Sequence, residues 1–319
     1  MKNWFVLWTG SGRRILSQSY SKIKVFIVLA IGLTTFGFAP ILVKFATEHS
    51  ALLLVAIRTV GAFLMLVPFY LYQKKSKKYD VKPVGNETKW MALAGIALGL
   101  HFILWISSLY YTSVASASVL VTIHPIMLIV AERALYKMKF PMTVWIGVFV
   151  AFSGSVLLGV SDYNTESEFL NPVLGNGMAF AAAAIFAVYF LIGRKVRQNR
   201  SWLGYVFPVY GYAAATCLAV LLVVEGIPGS IDPIVIWVGI GLAVGPQLMG
   251  HGSLNYAVKY VSPTLLSTLI LTEPIFATIL AFFILGELPA VLSFIAIAVT
   301  LVGVVLTWKR KPRKQAKDH

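Results

Sequence analysis

The sequence predicts an all-α membrane protein: ten transmembrane helices arranged as an inverted 5+5 repeat. Three observations lead there. Of the 319 residues, 58% are hydrophobic and only 12% charged, with a mean hydropathy of +0.81; an average soluble domain is about 25% charged. Apolar runs of about 20 residues recur along the chain, each long enough to cross a hydrocarbon core of about 30 Å. Barrel strands would instead be about 10 residues long and alternate in polarity. Finally, two stretches 149 positions apart align without a gap.

In chain order the spans are expected at roughly 23–46, 51–72, 90–111, 114–136, 141–160, 173–193, 203–224, 233–256, 263–284 and 289–308. Residues 1–22 form a basic, aromatic extension suited to the membrane surface. Its "NWFVLW" is too short for the apolar core of a secretory signal. Residues 23–160 and 173–308 make two five-span units, joined by an external linker at 161–172 and followed by a basic tail at 309–319. Asn171-Pro172, Asp232-Pro233 and Ser262-Pro263 each place a capping side chain before a proline, which needs no donor in a first helical turn.

The formal charge of +15 reads as topology. With both termini in the cytoplasm, 25 of the 27 Lys and Arg residues fall on that side. They sit in the N-terminal segment, the loops 73–89, 131–140, 194–202 and 257–262, and the tail. The opposite loops hold Glu48, Asp162, Glu166, Glu168, Glu225, Asp232 and Glu287. Such an excess on one side orients a multi-pass protein in the cell (inner) membrane, and nucleic-acid binding is not needed to explain it. Lys44 and Arg58 are the two exceptions. One cysteine, Cys217, excludes an internal disulfide and reads as a small apolar packing residue.

The ungapped offset pairs Pro125 with Pro274, Gly154 with Gly303, Tyr111 with Tyr260, Ser113 with Ser262 and Ser118 with Ser267. Five spans separate the copies, so the halves enter the membrane with opposite orientation. Inverted repeats are the architecture of many secondary transporters, with the site near mid-membrane between the halves.

The stretches "IRTVGAFLMLVP", "SLYYTSVASASVLVTIHP", "AVKYVSPTLLSTLILTEP" and "LGELP", with glycine-rich fifth and tenth spans, resemble the ten-helix EamA-type transporters of the drug/metabolite transporter superfamily. The first half departs from the second: His124 stands in the place of Glu273, and Met138 in that of Glu287. The resemblance implies a central cavity lined by spans one to four and six to nine, with spans five and ten peripheral. It also implies transport of amino acids, drugs or other small metabolites, often outwards.

Several side chains are costly in hydrocarbon and therefore informative. Glu273 and His124 sit about halfway along spans nine and four, related by the repeat. A charged group at that depth should face a partner or water, and a carboxylate there is a candidate proton carrier. Pro274 and Pro125 free the carbonyls of Ile270 and Val121, which then need partners. The alternative is a structural kink with the glutamate tied to a neighbouring helix. Span eight carries Gln247, His251 and Asn255 at i, i+4 and i+8, after a break expected at Gly245-Pro246; span three carries His101, Trp105 and Ser108. Either set lines a cavity or makes interhelical hydrogen bonds. Arg58 is open to four roles: pairing with Glu273, holding a substrate carboxylate, pairing with Glu48, or snorkelling towards the outer surface. Thr34, Thr35, Gly37 and Pro40 weaken span one, where small residues also allow close packing.

No HExxH, G-x-S-x-G or GxGxxG pattern is present, and no close histidine pair suits a metal. The reading is therefore a non-enzymatic secondary transporter of an amino-acid-like or amphipathic metabolite, working by alternating access and exporting it. A passive channel and a non-transporting scaffold are the alternatives. A small-molecule substrate and the lipid bilayer are the partners expected. A coupling proton and a homodimer are compatible with such a chain, and no cofactor, metal or nucleic acid is called for.

Overall fold

The protein is described by a computed structural model that covers residues 22–76, 86–112, 114–161, 171–285 and 291–308. The expected extension, most of the 73–89 loop, most of the linker, Glu287 and the basic tail lie outside the described residues. What is described is helical, with no strand. Spans one to three are α1 (Lys22–Lys44), α2 (Ala51–Ser76) and α3 (Glu87–Tyr111). Span four is two helices, α4 (Val114–Val121) and α5 (His124–Tyr136), and span five is α6 (Met142–Ser161). Spans six and seven are α7 (Pro172–Val196) and α8 (Trp202–Val224). Span eight joins α9 (Pro233–Leu242), a π-helical segment (Ala243–His251) and α10 (Gly252–Ala257). Span nine is again broken, into α11 (Pro263–Ile270) and α12 (Glu273–Leu285), and span ten is α13 (Val291–Trp308). Nine of these spans are long and apolar enough to cross a membrane, and α6 adds an apolar helix of 20 residues.

The three capped starts form as their chemistry requires. Asn171 Oδ1 accepts from the Leu174 N–H at 3.0 Å, Asp232 Oδ1 from Ile234 at 2.8 Å, and Ser262 Oγ from Leu265 at 3.4 Å. Each satisfies a donor that a helix start leaves without an intrahelical partner.

Packing carries the repeat into three dimensions. Span three packs on span six, and in the mirrored place span eight packs on span one. Span three also packs on span seven, and span eight on span two. Spans five and ten lie against each other. There Gly154 meets Thr300 while Gly303 meets Ala151, and each contact is the other shifted by one repeat. A Cβ on either glycine would collide with the facing backbone. Small residues permit such close helix approach in membranes, where hydrophobic burial does not drive association.

The two broken spans also match. Their turns fall at Thr122–Ile123 and Thr272 with Leu271, the same repeat positions, and each second helix begins with His-Pro or Glu-Pro. In span eight, by contrast, Gly245-Pro246 does not end the helix. The backbone widens into a π-helical segment, which absorbs a proline that an α-helix interior would resist. Span one runs through Pro40 as one helix. Its small residues serve packing: Gly32 meets Ser253 of α10, and Gly37 meets Phe276 of α12.

Candidate functional site

A cavity of about 470 Å³, its opening included, lies between the halves and is lined by spans one to four, six, eight and nine. Among the described residues, spans five and ten contribute nothing to it. Span seven, expected in the lining, acts from behind: the Tyr210 hydroxyl donates to the Gln247 carbonyl at 2.8 Å. Aromatic and imidazole rings make half of the lining, including Phe36, Phe102, Trp105 and Phe186. Trp105 is thus a lining residue rather than an interface anchor.

Arg58 projects from α2 into this wall and is 1% exposed. Its guanidinium carbon lies 3.9 Å from the centre of the Phe102 ring. Its Nε donates to Gln247 Oε1 at 3.1 Å. A desolvated cation–π contact contributes about 2 kcal/mol, which offsets only part of the cost of taking the charge out of water. Arg58 Nη1 has no hydrogen-bond partner. Neither expected ion pair forms: among the described residues Arg58 is bridged to neither Glu273 nor Glu48.

Glu273, the first residue of α12, is partly buried and faces the same cavity. It makes no ion pair among the described residues. His124 opens α5 at the mirrored position, and its Nδ1 lies 2.9 Å from the Val121 carbonyl. That is the carbonyl Pro125 releases, so the histidine repairs its own break. Since a carbonyl only accepts, Nδ1 carries a proton, and in the neutral ring Nε2 presents a lone pair. Nε2 is buried without a partner. His101 shows the same arrangement, with Nδ1 3.0 Å from the Ala182 carbonyl. His251 reaches the cavity from the π-helical segment, its ring centre 6.1 Å from that of His101 and 4.9 Å from that of Phe102. No group of three His, Cys, Asp or Glu residues suited to a metal occurs among the described residues.

The span-eight stripe does not face one space. The π turn fans it out, so that His251 and Pro246 line the cavity, Gln247 holds Arg58, and Asn255 accepts from the Tyr189 hydroxyl at 2.8 Å. In span three, His101 and Trp105 line the cavity while Ser108 turns back to the Trp105 carbonyl. The backbone places Pro125 and Pro274 at the two breaks. Cys217 is buried, with its sulfur 3.6 Å from the Gly99 carbonyl.

Sequence reasoning missed Glu132. Next to Arg133 near the end of span four, it read as part of the 131–140 loop. It lies inside α5, fully buried, and accepts from the Thr264 N–H at 2.9 Å and from the Thr264 hydroxyl. Glu273 is therefore not the single intramembrane acid. Glu132 follows Ile129 and Leu128 on a helix whose inner face is apolar, which is the one signal that pointed inwards.

Ten apolar spans, internal pseudo-symmetry and a charged cavity between the halves define a polytopic membrane protein of the transporter type. Residues 23–160 and 173–309 match the EamA-like transporter family, and the chain belongs to it. An uncharacterized transporter of Clostridium kluyveri is 26% identical over 81% of this chain and 83% of its own. One of Haemophilus influenzae is 25% identical over 92% and 98%. Among solved structures, one superimposes with a TM-score of 0.72 over 90% of this chain and 96% of that one, at 17% identity. That likeness concerns the fold.

Proposed function

We propose that the chain is a secondary transporter exporting a small amino-acid-like metabolite by alternating access, in the cell membrane with both termini cytoplasmic. The observation that carries this reading is a cation and a carboxylate that share one central cavity without pairing. Arg58 offers a free N–H to an anionic group, and a substrate carboxylate would meet the charge that the protein leaves unmatched. Glu273 and the lone pairs of His124 and His101 accept from an amino or hydroxyl group. The aromatic wall takes up an apolar side chain. Glu273 is the group suited to exchange a proton for solute. The two five-span units, 23–160 and 173–308, are the bodies that rock about the site.

Purified protein in liposomes should accumulate a labelled amino-acid-like solute from a metabolite panel, with saturation and counterflow. Flux without saturation or counterflow would mean a channel. No flux from folded protein across the panel would mean a scaffold. An impermeant thiol reagent added to intact cells should label cysteines placed at 161–172 and spare those placed at 73–89; the reverse pattern would overturn the orientation.

A further inference from the structure

Resting on the transporter reading, we propose that Glu132 and the first turn of α11 form the gate that shuts the cytoplasmic end of the pathway. The observation is a polar contact between the two halves at one end of the broken spans. α11 packs on α5 at the end that carries the basic loops, joining the second half to the first. The broken spans therefore converge at this end.

The chemistry of the convergence is polar and specific. Glu132 of the first half accepts two hydrogen bonds from Thr264, one from its N–H at 2.9 Å and one from its hydroxyl. Its second oxygen, Oε1, has no partner, so Thr264 supplies the bonds that hold the carboxylate. Arg194 of α7 grips the segment just before α11, its Nη1 donating to the carbonyls of Val258 at 2.8 Å and Val261 at 3.2 Å. Tyr136, at the end of α5, donates to the Leu191 carbonyl at 3.3 Å. These ties join α5, α7 and α11 below the cavity. The repeat counterparts of Glu132 and Thr264 are Ala281 and Ala115, so the pair itself is not repeated in the sequence. A carboxylate bonded to a helix's first N–H can be released as a unit when α11 swings away, because α11 is separated from α12 by the turn at Leu271 and Thr272.

The test reads the gate without any solute. In a Cys217→Ala background, Ile270→Cys puts a thiol on the cavity wall. Its labelling by an impermeant maleimide is compared in right-side-out and inverted vesicles. With the latch intact, labelling should be slow from the cytoplasmic side. Glu132→Gln and Thr264→Val should each raise that rate about tenfold and lower the rate from the other side, while Thr264→Ser should restore the starting pattern. Unchanged sidedness in both folded variants, or an equal rise from both sides, would overturn the gate. If sidedness shifts as expected but no solute is ever moved, the gate stands and the transport reading fails.

Discussion

The breaks in spans four and nine have one backbone and two chemistries. Each is a two-residue turn followed by a helix that begins with a polar residue and a proline, at positions related by the repeat. At the first, His124 Nδ1 bonds the carbonyl that the proline frees, and its Nε2 is buried without a partner. At the second, Glu273 faces the cavity without an ion pair. The difference teaches that the repeat duplicates the scaffold and not the site. At one copy the side chain bonds the freed carbonyl, and at the other the carboxylate makes no ion pair among the described residues.

The largest expected effect follows from that division. Glu273→Gln should lower net transport about 100-fold, equivalent to about 2.7 kcal/mol, and should flatten its pH dependence, with little change in thermal stability. A large loss of stability with normal transport per folded molecule would make Glu273 a structural brace. A smaller effect tests the scaffold. Gly154→Val and Gly303→Val make mirrored collisions in the contact of spans five and ten, and each should destabilise by about 2 kcal/mol through overpacking. Matched shifts in melting temperature are the prediction, and one neutral member of the pair would break the symmetry argument. The smallest effect is at the first break. His124→Phe leaves the Val121 carbonyl without its partner, which costs about 1 kcal/mol, so the melting temperature should fall by roughly 2–4 °C. Stability equal to the parent would show that the histidine does not repair the break.

The spans were legible because length and hydropathy alone constrain a membrane helix, and their ends agree with the helices to within a few residues. The breaks were legible from His-Pro and Glu-Pro, since proline removes a donor that hydrocarbon cannot replace. The repeat placed Glu273 and His124 in one central region and helix faces placed His101, Trp105 and His251 beside them, whereas the sequence left Arg58 open among several roles. What the sequence hid depended on the third dimension. The π turn around Pro246 rotated Gln247 away from the lining, and no periodicity of 3.6 residues predicts that. Glu132 was hidden because its partner, Thr264, lies 132 positions away and bonds partly through its backbone. The role of Phe102 as the face beneath Arg58 is likewise a property of packing, not of pattern.

The most direct test of the account concerns Arg58. For any carboxylate solute that the protein moves in liposomes, transport should be compared with that of its neutral amide analogue. The account predicts that the parent protein prefers the acid by roughly 10- to 100-fold, the range for a charged hydrogen bond of about 1.5–3 kcal/mol. Arg58→Ala, confirmed as folded, should lose the acid and the preference together. Arg58→Ala that moves the acid at the parental rate, with the preference intact, would contradict the assignment of this cavity as the transport site.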